Sequence, residues 1–147
     1  MILVSMILKA KGSEVVTVNP GTTMIDALQI MAEKNIGAMI VLDHSKPVGI
    51  FSERDFVREI AREQCLMLKL PVESCMTKEL YCVTPSSTSD ECMAIMTNKH
   101  IRHLPVMQGD ELVGIISIGD IVKNMIEDKD LLIDNLQNYI FGPSFGR

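Results

Sequence analysis

Two serine–aspartate pairs with the same spacing, Ser52-x-x-Asp55 and Ser117-x-x-Asp120, are the residues best suited to chemistry. Each pair follows an apolar run and precedes a helical pattern, so the carboxylate is expected at a strand-to-helix junction. A carboxylate there can accept hydrogen bonds from two neighbouring ligand hydroxyls, and the helix N-terminus favours an anion. The same spacing is also that of a helix start, in which each pair only caps its own helix. Both interpretations remain open on this pattern.

The one glycine pattern that resembles a phosphate-binding loop is incomplete. Gly114-x-x-x-x-Gly119 has the required glycine spacing, but Asp120 and Ile121 stand where the loop needs lysine and then serine or threonine. The lysine for the β- and γ-phosphates and the hydroxyl for magnesium are therefore missing. We predict that the protein is not an enzyme.

Composition limits the possible partners. The chain has 147 residues, 47% of them hydrophobic, which predicts a folded globular protein. A net charge of −5 has the wrong sign for binding nucleic acid or an anionic membrane. No apolar run approaches the roughly 18 residues of a spanning helix, and the N-terminus lacks the pattern of a signal peptide. We expect a cytoplasmic protein that binds neither nucleic acid nor membrane.

The four cysteines have no metal-site spacing. Cys65, Cys75, Cys82 and Cys92 include no Cys-x-x-Cys pair, and no histidine lies at zinc-finger spacing. Because three of them lie in or beside apolar runs, we expect reduced, structural thiols and no metal.

An internal duplication organises the chain. Shifted by 65 positions, residues 16–58 align without a gap onto residues 81–123, and 14 of the 43 aligned pairs are identical. Chance at ordinary composition would give about three identities. Two copies of this length predict two similar lobes, here called repeat 1 and repeat 2, related by an approximate two-fold axis.

Both repeats show the predicted order β-α-β-β-α. In repeat 1 the elements are a strand at 15–18, a helix from Met24, strands at 38–42 and 48–51, and a helix from about Asp55. In repeat 2 a similar helix from Ser89, strands at 104–107 and 112–116, and a helix from about Asp120 recur. The expected fold class is therefore α/β of the α+β kind, with the two repeats packed in pseudo-two-fold symmetry.

The chain extends beyond the repeats at both ends. We place repeat 1 at 11–65, repeat 2 at 74–128, and a C-terminal helix and tail at 129–147, with a short segment before repeat 1. In the last part an amphipathic helix is predicted, because apolar residues recur at i, i+4, i+7 and i+8. These residues are Leu132, Leu136, Tyr139 and Ile140. This helix either packs on its own chain or remains for a partner.

The two copies resemble the tandem CBS-domain pair, or Bateman module. Residues 49–55 and 114–120 both match the family signature, a glycine, two hydrophobic residues, serine or threonine, any two residues, and aspartate or asparagine. Residues 101–106 resemble the segment that often precedes this signature, and Met76-Thr77 resembles the boundary before the second repeat. The resemblance covers about residues 11–127 and is to stand-alone pairs without a fused enzyme or transporter.

This resemblance implies a regulatory module that binds AMP, ADP, ATP, NAD(H) or S-adenosylmethionine in the clefts between the repeats. The aspartates would accept the ribose hydroxyls, basic side chains would meet the phosphate, and backbone near 36–38 and 101–103 would hold adenine. Arg58 and Arg62 are expected on a solvated helix face. The predicted nucleotide-binding residues are Thr17, Ile36, Gly37, Ala38, Ser52, Arg54, Asp55, Ile101, Arg102, His103, Pro105, Ser117, Gly119 and Asp120.

The two clefts are not expected to be equal, because Glu53-Arg54 in repeat 1 corresponds to Ile118-Gly119 in repeat 2. The resemblance also implies a homodimer, which residues 2–8 and the C-terminal helix would help to seal. Ligand binding would change the dimer's geometry and so act on a regulated protein that the sequence does not identify. The alternative is a dimeric interaction scaffold with empty clefts.

Overall fold

A computed structural model describes residues 1–12, 14–64 and 68–141 of the chain. Cys65 and the end of the expected tail, residues 142–147, lie outside the described residues. The elements are α1 (Val4–Lys11), β1 (Thr17–Val18), α2 (Met24–Lys34), β2 (Ala38–Asp43), β3 (Lys46–Ser52), α3 (Glu53–Glu63), α4 (Ser89–Lys99), β4 (His103–Gln108), β5 (Glu111–Ser117) and α5 (Ile118–Phe141). The predicted class, two similar α and β repeats followed by a C-terminal helix, is confirmed.

The two sheets have matching registers. β2 pairs antiparallel with β3, and β4 pairs antiparallel with β5. Ala38 lies opposite Ser52 in the first hairpin, and His103 lies opposite Ser117 at the same place in the second. β1 adds a short parallel strand to the first sheet. In repeat 2 the corresponding strand is reduced to one bridge at Val83, where the sequence lacks the continuous β-branched run of residues 15–18.

Each repeat has its own core, completed by the segment that precedes the other repeat. Val72 lies before repeat 2, yet it is fully buried in the core of repeat 1. Val4, Ile7 and Leu8 of α1 lie before repeat 1, yet they are buried in the core of repeat 2. Val4, Ile7 and Leu8 are therefore used within their own chain, whereas Met6 is 53% exposed, and the expected part of residues 2–8 in a dimer stays a prediction.

Equivalent backbone hydrogen bonds hold these two exchanged segments. Val72 N donates to Thr22 O over 2.8 Å, and Val4 N donates to Ser87 O over 2.9 Å. Thr22 and Ser87 correspond at the 65-residue shift, whereas Val4 and Val72 correspond at a shift of 68. The duplication therefore extends back through residues 2–8. The chain between this segment and repeat 1 is three residues longer than the chain between Val72 and the matching position of repeat 2.

A glycine in each sheet allows the exchanged segment to approach closely. A Cβ atom added at Gly49 would lie 2.5 Å from Met76 Sδ, and one added at Gly114 would lie 2.6 Å from Leu8 Cδ2. Both distances are too short for real carbon contacts. The glycine of the family signature is thus explained here by packing against residues 8 and 76.

The predicted second helix of repeat 2 and the predicted C-terminal helix form one element, α5, of 24 residues. No glycine or proline follows Gly119 until residue 142, so nothing in the sequence interrupts the helix. Its apolar side chains beyond Met125 are exposed, with Ile133 and Leu136 each 51% accessible. No helix in the described ranges is long and apolar enough to cross a membrane.

Candidate ligand-binding clefts

Both serine–aspartate pairs cap the helix that they begin. Ser52 N donates to Asp55 Oδ2 over 2.9 Å, and Asp55 N donates to Ser52 Oγ over 3.2 Å. The corresponding distances between Ser117 and Asp120 are 2.9 and 3.1 Å. The capping interpretation is therefore confirmed for both pairs. Since a carboxylate offers about four acceptor sites, capping leaves room for further donors.

The two aspartates differ in their next partner. Thr77 Oγ1 donates to Asp55 Oδ1 over 2.8 Å, whereas Lys11 Nζ donates to Asp120 Oδ2 over 2.6 Å. Asp55 is buried, and the Asp120 side chain is 21% exposed. Burial raises the pKa of the Asp120 carboxyl, but the hydrogen bonds from Lys11 and Ser117 outweigh burial and hold that pKa below its ordinary value.

A cavity of about 550 Å³ lies between the two repeats at Asp55. One wall is the start of α3, with Ser52 and Asp55, and the opposite wall is the turn after α4 and the start of β4, with Ile101 and Pro105. Arg54 Nη1 donates across the cleft to His100 O over 2.9 Å. The volume is within the range of small-molecule sites, roughly 300–1,000 Å³.

The cavity wall carries more cationic than anionic groups. Its permanently charged cations are Arg54, Arg58, Lys99 and Arg102, and its carboxylates are Glu53, Asp55 and Glu79. Two imidazoles, those of His100 and His103, also line it. A local cationic excess in a chain of net charge −5 is suited to an anionic ligand.

His103 lies deep in the cleft, near charged groups of both repeats. Burial lowers the pKa of its imidazole, while Asp120 and Glu53 act in the opposite direction and Lys11 and Arg102 lower it further. The net pKa lies below the ordinary value, so the ring is neutral at pH 7. A neutral ring can both donate and accept a hydrogen bond.

The predicted site residues fall into three groups. The residues that line the 550 Å³ cavity are Gly37, Ser52, Arg54, Asp55, Ile101, Arg102, His103 and Pro105. Ser117, Gly119 and Asp120 lie together at the end of β5 and the start of α5, outside the lining of that cavity. The remaining three are apart: Ile36 lines a smaller cavity of about 330 Å³, Ala38 is buried in β2, and Thr17 lines a cavity with Gln108 and Leu112. Their roles in ligand binding stay predictions.

Sequence analysis missed several residues of the cavity. Arg58 is exposed, as expected for a solvated face, and it also lines the cavity, one helical turn after Arg54. Its i, i+4 relation to Arg54 is the signal that would have found it. Arg62, one turn further, instead pairs with Glu59 over 2.8 Å. Thr77, Leu80, Tyr81 and Lys99 also line the cavity, and Lys99 Nζ lies 4.9 Å from the Tyr81 ring centroid.

The described thiols and acidic groups show no arrangement for metal binding. Within the described ranges, no cluster of three or more His, Cys, Asp and Glu side chains could hold a metal ion. Burial, together with the nearby carboxylates of Asp55 and Glu59, raises the pKa of the Cys75 thiol to about 11. That thiol is therefore protonated and poorly nucleophilic at neutral pH.

The two similar repeats, each with a serine–aspartate pair at the start of a helix, define a tandem-repeat fold, and a comparison with known families agrees. The CBS domain profile matches residues 11–62 and again residues 72–127. The chain belongs to the CBS-domain family and contains a pair of these domains.

Known relatives share this pair. The chain is 33% identical over 125 residues to the mitochondrial CBS domain-containing protein CBSX3 of Arabidopsis thaliana, covering 82% of this chain and 61% of that one. It therefore spans less than two thirds of that relative. A solved Burkholderia ambifaria protein with CBS domains is 43% identical, with a TM-score of 0.82 over 86% of this chain and 95% of that one. The CBS pair of protein MJ0100, solved with 5′-methylthioadenosine and S-adenosyl-L-methionine, is 25% identical, with a TM-score of 0.74 over 84% and 98%.

Proposed function

We propose that this protein is a regulatory module, not an enzyme, that binds an adenosine nucleotide, AMP, ADP, ATP or NAD(H), in the cavity at Asp55. The observation that carries this proposal is the set of residues that line the two walls of this cavity. A capped carboxylate can accept ribose hydroxyls, Ile101 and Pro105 offer an apolar surface to adenine, and the cationic excess favours phosphate. The adenosine-containing ligands of the MJ0100 pair support the choice of ligand class.

The cavity geometry supports a regulatory mechanism. Its walls come from different repeats, joined across the cleft by the hydrogen bond from Arg54 to His100 O. A nucleotide that contacts α3 and the turn after α4 together would favour one relative placement of the repeats. Regulation then requires that the ligand bind one placement more tightly than another. A change in the relative placement of the repeats would also change the surface that a regulated protein contacts.

The test is a site-resolved titration of the 15N-labelled protein with AMP, ADP, ATP, NADH and S-adenosylmethionine, followed by amide chemical shifts. We expect saturable shifts at Glu53 and Arg54 with the phosphorylated ligands, because both residues line the cavity. Glu73, which is exposed and lines none of the three cavities described above, serves as the control amide. If none of these ligands moves the cleft amides, the scaffold alternative replaces this proposal.

We also propose that two copies associate through α5. Ile126, Ile133 and Ile140 recur at seven-residue intervals, and the accompanying d positions of a heptad are Val122, Lys129 and Leu136. The five apolar residues of this stripe are at least 44% accessible in the single chain. Isoleucine at a with leucine at d is typical of a two-stranded coiled coil, so a second α5 is the occupant that fits this stripe, in which Lys129 is the polar d residue.

Sedimentation equilibrium tests the dimer. The wild-type protein is expected at twice the mass of one chain, whereas Ile133→Asp places a charge in the apolar stripe and is expected to give a monomer. Asn138→Asp adds the same charge on the opposite face of the helix and is expected to remain dimeric. A monomeric wild type, or equal masses for both variants, would refute an α5 interface.

We retain the cytoplasm as the proposed location. The described cysteines, Cys75, Cys82 and Cys92, are free thiols, and burial raises the pKa of each. Such thiols are compatible with a reducing compartment.

A further inference from the structure

A second, smaller cavity adjoins the cavity at Asp55, which we call the Asp55 cleft. Gly37 and Glu53 line both spaces. A Cβ atom added at Gly37 would lie 3.4 Å from Glu53 Oε1 and 3.8 Å from His103 Cε1. The two cavities therefore share a wall at a residue without a side chain, next to an exposed carboxylate. A ligand that extends out of the Asp55 cleft past Gly37 meets the second cavity.

The second cavity has a volume of about 330 Å³ and a mainly apolar wall. The apolar residues come from α2 and the turn that follows it, and they are Leu28, Met31, Ala32 and Ile36. Its polar side chains are the amide of Asn35 and the carboxylate of Glu53. An apolar wall with a few polar groups that fix orientation is typical of a small-molecule site.

The junction between the two cavities is specific to repeat 1. Glu53 N donates to Gly37 O over 3.1 Å, and in repeat 2 Ile118 N donates to Arg102 O over 2.9 Å. These residues correspond at the 65-residue shift, so the backbone is alike in both repeats. The difference lies in the side chains, because repeat 2 has a large cationic residue in place of Gly37 and an apolar residue in place of the carboxylate.

The charges around the second cavity limit the groups that fit it. None of the described residues that line it is lysine, arginine or histidine. Within residues 1–12, 14–64 and 68–141, no cation lies at ion-pair distance from the Glu53 carboxylate. A triphosphate chain or an amino-acid carboxylate would therefore enter beside a like charge and without a cation. Ribose hydroxyls can instead donate to Glu53, and the Asn35 amide can pair with a carboxamide.

We propose that the second cavity is a subsite for the second nucleoside of a dinucleotide, whose adenosine half binds in the Asp55 cleft. This inference rests on the proposed function, and it selects among the ligands named there. The phosphates stay with the cationic groups of the Asp55 cleft, the second ribose donates to Glu53, and the ring of the second base covers the apolar wall. The site thus prefers NADH to AMP, ADP and ATP.

Isothermal titration calorimetry with ADP, ADP-ribose and NADH tests this subsite one part at a time. ADP-ribose is expected to bind at least about tenfold more tightly than ADP, the size of one hydrogen bond to a charged group. NADH should bind more tightly still, because its ring buries apolar surface. Glu53→Gln removes the charge and should reduce the advantage of ADP-ribose over ADP.

Filling the second cavity supplies the sharper variant. Ala32 lines the second cavity from an exposed position of α2, so Ala32→Phe is expected to bring the dissociation constants of NADH and ADP to about the same value. The affinities for ATP and S-adenosylmethionine should change by less than about twofold, since neither ligand enters this space. Gln29→Phe is the matched control, because Gln29 is exposed on the same helix and lines none of the three cavities. It should leave the preference for NADH unchanged.

The outcomes separate this inference from the proposed function. Equal affinities for ADP and NADH in the wild type would overturn the subsite and leave nucleotide binding in place. A preference for NADH that persists in both Ala32→Phe and Glu53→Gln would also overturn it, because the second nucleoside would then lie elsewhere. If none of these ligands binds the wild type, the proposed function is wrong, and the subsite with it.

Discussion

Replacing Ile7 with alanine is expected to lower the free energy of unfolding by about 2–5 kcal/mol, although Ile7 lies before the first repeat. The side chain is fully buried in the core of repeat 2, together with Leu104 and Ile116. Truncation would leave a cavity that α1 cannot easily close, because Val4 and Leu8 fix the helix on either side of it. A loss of this size is a large part of the stability of an ordinary domain.

Urea unfolding followed by circular dichroism measures this effect. Met6 provides the matched control, since it is the neighbouring residue of the same helix and is 53% exposed. Met6→Ala is expected to change the free energy of unfolding by no more than about 0.5 kcal/mol. Equal, small effects of both substitutions would mean that α1 does not belong to the core of repeat 2 in solution.

The sequence predicts the repeated elements well because each structural feature occurs in two copies, which can be compared position by position. Residues identical at the 65-residue shift, such as Gly49 and Gly114, mark positions at which both copies meet the same packing constraint. The shared hairpin registers follow from the same alignment. Periodicity alone would not have related the two hairpins.

The role of α1 could not be predicted in this way. Residues 2–8 correspond to residues 70–76 only after a shift of 68, and Val4 with Val72 is the one identity among the seven pairs. What the two segments share is burial, at Val4 and Val72, and contact with a glycine, through Leu8 and Met76. Any medium-sized apolar side chain satisfies those requirements, so the sequence keeps little trace of the correspondence.

Prediction of the site residues from the sequence is limited in the same way. The carboxylates were found because capping requires serine and aspartate at a fixed spacing, a local rule that sequence records directly. Lys11 reaches Asp120 across 109 positions of the chain, and Thr77 reaches Asp55 across 22. Such contacts depend on which repeat each preceding segment packs against, and no local pattern contains that information.

Replacing Arg58 with methionine is expected to weaken AMP or ATP binding at the Asp55 cleft by about 10- to 100-fold, the loss of one charge-assisted hydrogen bond of about 1.5–3 kcal/mol. Arg58 lines the cavity, and within the described ranges no carboxylate lies at ion-pair distance from its guanidinium. Arg54, by contrast, already donates to His100 O. Methionine keeps much of the apolar stem and the helix propensity, so the charge is the main change.

Isothermal titration calorimetry measures this loss, with Arg62→Met as the matched control. Arg62 follows Arg58 by one turn on α3, but it pairs with Glu59 and Glu63 outside the cavity, so its removal should leave the dissociation constant within about twofold. Adenosine should bind wild type and Arg58→Met equally, because it carries no phosphate for the guanidinium to meet. If adenosine and AMP lose affinity together, Arg58 supports the shape of the cleft and does not bind phosphate. If neither loses affinity, the cationic wall does not select the ligand, and its excess charge must serve another partner.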